Sequence, residues 1–259
     1  WKNSSGVTTK NHKPSAGNDY VANQPYILRT PTTSGLTFGG DSLTLSGGVE
    51  IKVKVPNNGI VTIPNLIVAG AAQIVCGDGN HLKKVAGAID ILEAGALKID
   101  VSYDDNVENV RQFEIQSAVS GAGSLWSGLT VDGTKGSPYV KFTGALADFT
   151  GKIVLGAGDT MRFATIFEKS LPGDPAETME DGLTFEGKAA LEFMTSGKLG
   201  ITRGVTFCSG LGEIFVAENE TVQIDGRLVG LDGFKKTGKG TLALANISSD
   251  LVGTVTVAE

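Results

Sequence analysis

The sequence predicts an all-β chain wound as a right-handed parallel β-helix, a β-solenoid running from about Gly35 to Glu259 behind a polar N-terminal cap or leader at residues 1–34. Three observations carry this. Glycine is frequent, apolar residues alternate at period two in short runs, and a four-residue motif recurs down the chain. The 36 glycines among 259 residues are about twice the usual ~7%. Tight turns are therefore many, and a residue that weakens helix interiors argues against a helical bundle. The apolar residues come largely as Val, Ile, Leu and Phe beside Thr, side chains that suit a pleated, half-buried surface. Right-handedness follows from the usual chirality of parallel crossovers.

The polar stretch opens with Asn3, Ser4, Ser5, Asn11, His12, Lys13 and Pro14 and continues past Pro25 and Pro31 without a periodic apolar pattern. From Gly35 the text changes to alternations broken by glycine, among them Leu43-Thr-Leu45, Ile51-Lys-Val53, Ile89-Asp-Ile91, Leu97-Lys-Ile99, Ile153-Val-Leu155, Leu242-Ala-Leu244 and Val255-Thr-Val257. Alternation at period two marks half-buried strands. It places Leu36, Phe38, Leu43, Leu45, Ile51, Val53, Ile89, Ile91, Leu97, Ile99, Phe185, Phe207, Leu242, Leu244, Val255 and Val257 inside. Residues 107–118 and 174–181, with clustered Glu, Gln and Asp, are the two stretches that suggest short helical turns.

The motif Gly-[Leu/Val]-Thr-[Phe/Val] begins at Gly35, Gly128, Gly182 and Gly204. Its last two copies lie 22 residues apart (204 − 182), close to one coil of a parallel β-helix. Ala147-Asp-Phe-Thr-Gly-Lys-Ile-Val-Leu155 also aligns with Ser249-Asp-Leu-Val-Gly-Thr-Val-Thr-Val257. Recurrence at a fixed period is how stacked repeats show themselves, because one coil cannot bury its inner face alone. The alternative fold is a Gly-rich antiparallel β-sandwich, in which short Gly-Leu-Thr strings recur by composition.

At the C-terminus, Phe234-Lys-Lys-Thr-Gly-Lys-Gly-Thr-Leu-Ala-Leu-Ala-Asn246 followed by Gly253-Thr-Val-Thr-Val257 resembles the autotransporter-associated β-strand repeat of bacterial secreted passenger proteins. The resemblance is close over about residues 234–257. It departs from the family in the loop, where Ser248-Ser-Asp-Leu-Val-Gly253 replaces an Asn-Thr-Tyr-Thr-Gly stretch. It implies a right-handed β-helix displayed outside a bacterial cell, extracellular or on the cell surface, and no particular reaction.

Composition excludes several functions. A net charge of −6 gives no footprint for a polyphosphate backbone, so nucleic acid is not an expected partner. No run of eighteen apolar residues suggests a membrane span, and the chain, opening on Trp1, reads as a soluble, trimmed piece. Cys76 and Cys208, 132 positions apart (208 − 76), match no metal spacing. They read as two buried thiols, with a long-range disulfide as the alternative.

Gly233-Phe-Lys-Lys-Thr-Gly-Lys-Gly-Thr241 nearly spells a phosphate-binding loop. Gly240 stands where Ser or Thr is needed, and a strand pattern follows where a helix is required. His12 and His81 have no partners at zinc spacing, and Asp104, Asn106 and Glu108 imitate a calcium loop that lacks its Gly and its terminal Glu. Neither cofactor nor metal is expected. No Gly-x-Ser-x-Gly occurs. The carboxylate pairs Asp78/Asp100 and Asp159/Asp181 sit one coil apart, as a polysaccharide lyase or hydrolase on a β-helix would need, although surface and turn aspartates at that spacing are ordinary.

Trp126 and Tyr139 flank the polar turn Asp132–Ser137 and are the candidate glycan-binding residues, with core packing as the competing role. The function these features favour is a non-catalytic structural or adhesive solenoid segment, with a glycan-binding module or a polysaccharide-cleaving enzyme as alternatives. Its expected partners are extracellular glycans or neighbouring solenoid segments. The final strand, ending without a covering element, suggests end-to-end self-association or truncation of a larger protein.

Overall fold

A computed structural model describes residues 13–76, 81–101, 111–130, 137–158, 162–208, 210–246 and 250–258. The described chain is a parallel β-solenoid of about nine turns without a helix. Among the described residues every strand pair is parallel, so the antiparallel sandwich is not the fold. Thirteen strands form one sheet, ten a second and three a third.

The ten-stranded sheet shows the winding most simply. In order it stacks Ile27–Arg29, Val49–Val53, Ala71–Cys76, Ala96–Asp100, Ser124–Gly128, Lys152–Gly156, Met179–Glu186, Arg203–Phe207, Leu228–Gly230 and Asp250–Leu251. The offset between register partners is the coil length: 23 residues at Ile27↔Glu50 (50 − 27), 30 at Ile153↔Leu183 (183 − 153) and 22 at Leu183↔Val205 (205 − 183). Extra residues are absorbed at the corners, and the ladder continues through them. The Thr-bearing motifs at 182 and 204 stack residue on residue, Leu183↔Val205, Thr184↔Thr206 and Phe185↔Phe207.

In the thirteen-stranded sheet, Ile60–Val68 and His81–Ile91 turn a corner without a break. Leu36–Thr37 and Ser42–Leu45 both pair with the former, at Val61 and Thr62 and at Leu66–Val68. The third sheet, Gly197–Leu199, Thr221–Ile224 and Thr241–Leu244, closes the later coils.

Inside, like residues align in ladders. Phe142, Phe167 and Phe193 are register partners whose rings meet edge to face at 5.9 Å. Phe185 and Phe207 stack at 4.7 Å, and where a third ring would follow on their sheet stands Gly230. Phe234, from the facing sheet, fills that space and stacks on Phe207 at 4.9 Å. Gly212, the register partner of Phe234, leaves room for the Phe207 ring: a Cβ there would come within 2.7 Å of it. Volume is thus traded across the core level by level, as close packing requires. Ser127 and Thr165, inward from facing sheets, join hydroxyls at 2.9 Å.

Four features differ from expectation. Coil stacking begins at Asp19, ahead of Gly35: Asp19–Ala22 and Ile27–Arg29 pair in register with Ser42–Leu45 and with Glu50–Lys52, because Tyr20, Ala22 and Leu28 supply an inner row. The described parts of 107–118 and 174–181 hold strands, Arg111–Ile115 and the start of Met179–Glu186, since an adjacent strand edge overrides weak helical preference. The nine-residue match is not a structural repeat, for Ile153 and Leu155 lie in the ten-stranded sheet and Val255 and Val257 in the thirteen-stranded one.

At the C-terminal coil, finally, Leu244, Val255 and Val257 are exposed, Leu242 is half-buried, and Leu36 near the other end is half-buried. The three strands of that coil are the last in their sheets. The remaining expected inner residues are buried.

Candidate functional site

The alternation that buries Leu97, Ile99 and Leu125 turns Lys98 and Trp126 outward on the ten-stranded sheet, where they are register partners. The indole of Trp126 lies over Gly128 and Gly156, paired across adjacent strands, and a Cβ at either would run into the ring. The Lys98 ammonium stands over the other side, 4.4 Å from the ring centroid. It also donates to Thr130 Oγ1 at 2.6 Å and pairs with Asp100 at 3.1 Å. Asp100 is buried and accepts from the Thr130 amide at 3.1 Å and from its hydroxyl. A cation held by a carboxylate and a π face thus occupies the surface on which a sugar ring would stack.

Beside this cluster runs an open groove of about 560 Å³. Its floor is Gly48, Ala71, Ala96 and Ser124, from successive coils, and its long wall is Gln73, Lys98, Trp126 and Val154. Gln73 Nε2 donates to Glu50 at 3.0 Å. The alanine row was not singled out from sequence. Parity puts Ala71 and Ala96 outward, but their alignment needs the local coil lengths, which vary with the corners.

Tyr139 is a half-buried outward residue on the thirteen-stranded sheet, in the strand Tyr139–Phe142. Desolvation raises its phenol above the ordinary value, with Lys141 opposing and Glu114 and Glu168 adding. Trp126 and Tyr139 therefore stand on different sheets and do not form one platform. The turn residues 131–136 between them lie outside the described residues. Near Tyr139, a polar hollow of about 520 Å³ is lined by Glu114, Gln116, Lys141, Thr143, Glu168 and Lys169. Lys84 pairs with Glu114 at 3.7 Å and Lys141 with Glu168 at 3.2 Å, so its charges alternate.

Of the two carboxylate pairs, Asp78 and Asp159 lie outside the described residues, as do Asp104, Asn106 and Glu108. Asp181 pairs with Lys152. Its strand is three steps from that of Asp100, about 14 Å at ~4.8 Å per strand, so these two acids do not share a site. Among the described residues no three His, Cys, Asp or Glu side chains gather at a metal-holding distance.

The near-phosphate loop is a strand, a turn and a strand. Lys236, at an inward register position, donates to the carbonyls of Gly238 and Gly240, and Gly238 has φ +76°. A Cβ at either glycine would strike the backbone of the preceding coil.

The cysteines are unbridged. Cys76 is buried as expected, but Cys208 is exposed, because it follows the Arg203–Phe207 strand at a corner. Their strands lie five steps apart, about 24 Å, well beyond the ~7 Å Cα reach of a disulfide. Burial raises the Cys76 thiol to about 11, against the pull of Arg111 and Lys83.

Sequence reading missed three buried cations. Lys83 donates to the Val55 carbonyl and Arg111 to the Cys76 carbonyl at 3.2 Å. Arg203 is buried with its guanidinium among the carbonyls of Phe149, Gly151, Gly173 and Gly182. Parity was the available signal, since Lys83 shares a face with Val85, and Arg111 with Phe113 and Ile115.

No known protein family, curated protein or solved structure matches this chain.

Proposed function

We propose that the chain is a structural, adhesive segment of an extracellular or bacterial cell-surface solenoid, presenting surface rather than transforming a substrate. The observation that carries this reading is the continuous inner ladder through about nine turns, with outward side chains that tie coil to coil. Arg162 bridges Glu192 at 2.6 Å and Glu213 at 2.9 Å, two successive coils. Arg227 bridges Glu180 and Asp250. Such a body is a stiff rod whose rows of outward residues are available for contact. The resemblance of residues 234–257 to passenger-protein repeats supports display outside a bacterial cell.

Beads carrying the chain, passed under flow over surfaces of extracellular matrix and immobilised glycans, test the reading. Retention above that of beads carrying an unrelated β-protein is expected. Equal release from every surface would contradict an adhesive role.

A second reading, a glycan-binding module, is favoured by the groove beside Trp126.

A further inference from the structure

Resting on that second reading, we propose that the alanine-floored groove takes a neutral, extended oligosaccharide lying parallel to the solenoid axis. The floor residues come from four successive coils, and Ala71, Ala96 and Ser124 are register partners, so the trough runs along the stacking direction. Its repeat is the strand spacing of ~4.8 Å, close to the length of one hexose in an extended β-linked chain. Each sugar therefore meets the same row of the next coil.

Charge sets the ligand class. Lys98 is committed to Asp100, Thr130 and the indole, and Glu50 accepts from Gln73. The cation of the lining is thus already paired and the Glu50 carboxylate beside it keeps its negative charge, so a neutral chain is accommodated, whereas a uronate would meet Glu50 and have to draw Lys98 away from Asp100. A peptide strand does not fit, because the groove lies on a sheet face whose amides and carbonyls are spent in the ladder, and strand addition needs an edge. The exposed methyls of Ala71 and Ala96 suit the C–H face of a sugar, while the Ser124 hydroxyl and Gln73 amide stand beside them for its hydroxyls. Trp126 acts as a wall, since Gly128, Gly156 and Lys98 take up its faces.

The test is calorimetric titration of the 259-residue chain with β-1,4-linked glucose and N-acetylglucosamine oligomers of two to six units, and with oligogalacturonate. Neutral oligomers should bind with affinity rising up to about four sugars, the number of coils in the floor. Ala96→Arg, at an exposed position, should weaken binding by about tenfold or more, and Lys141→Ala, in the polar hollow on the other sheet, should leave it unchanged. Neutral-glycan binding that Ala96→Arg does not alter, or binding confined to oligogalacturonate, overturns the groove assignment and leaves the glycan-binding reading standing. Binding of none of these glycans overturns both.

Discussion

Replacing Arg203 with methionine removes five donated hydrogen bonds while keeping an unbranched apolar stem in place of the first part of the side chain. Arg203 opens the Arg203–Phe207 strand and reaches back over two earlier coils, donating to Gly151 at 2.7 Å, Gly182 at 2.9 Å and Gly173 at 3.2 Å, with Phe149 weaker at 3.4 Å. Left without these donors, the three closer carbonyls would cost about 1–3 kcal/mol each, about 6 kcal/mol together. Against this, burial lowers the guanidinium from its ordinary value to about 10, a cost of about 3 kcal/mol at ~1.4 kcal/mol per unit, which methionine avoids. The net loss is about 3 kcal/mol. Stacked coils open locally, so the fitting assay is hydrogen exchange rather than one melting temperature. Amides at 149–151, 171–174, 180–184 and 200–205 should exchange about a hundredfold faster in Arg203→Met, and those at 42–68 should not change. Exchange within twofold of the parent at the four segments, or a uniform rise along the solenoid, would refute the reasoning.

A thiol reagent should modify one cysteine of the native protein, Cys208, and reach Cys76 only on unfolding; two fast equivalents would contradict the burial. The folded state keeps the Cys76 thiol protonated up to about 11 while the unfolded chain ionises near 9, so stability should fall by about 3 kcal/mol between those pH values. Cys76→Ala should show a shallower alkaline decline in urea titrations. Lys236→Met should speed amide exchange at 238–245 by about ten- to a hundredfold, the equivalent of ~1–3 kcal/mol; unchanged exchange would mean that the lysine does not hold the turn. Ser127→Ala leaves the Thr165 hydroxyl buried without its partner and should cost about 1–3 kcal/mol. The Ser127→Ala, Thr165→Val double variant should recover part of that, and strict additivity in urea unfolding would deny the coupling.

The alternation and the glycine pattern made the parallel stacking legible, and the spacing of Gly182 and Gly204 measured a coil that the structure reproduces residue for residue. Between Ala96 and Met179 the coils lengthen at their corners, and a fixed period no longer tells which outward residues become neighbours. That hid the juxtaposition of Lys98 with Trp126 and the alanine row. The pairing of 147–155 with 249–257 misled for a related reason: the same Asp-apolar-x-Gly string leads into a strand of the ten-stranded sheet in one copy and of the thirteen-stranded sheet in the other. Arg203, Lys83 and Arg111 were overlooked because a charged residue is read as outward even where parity says inward. Conversely Leu244, Val255 and Val257 obey parity, yet a row on the last coil has a neighbour on only one side. For Trp126 the sequence left glycan contact and core packing both open, and whether its face is free depends on Gly128, Gly156 and Lys98, from three strands whose register no sequence period gave.

We propose that this solenoid presents surface and does not transform what it meets. The direct measurement is a glycan array screened in parallel with release of reducing ends and unsaturated products from each bound glycan. Retention of a neutral, extended glycan with no product over prolonged incubation is the predicted result. Turnover of any glycan that disappears on substituting an acid, Asp100 or Asp181 among them, would contradict it.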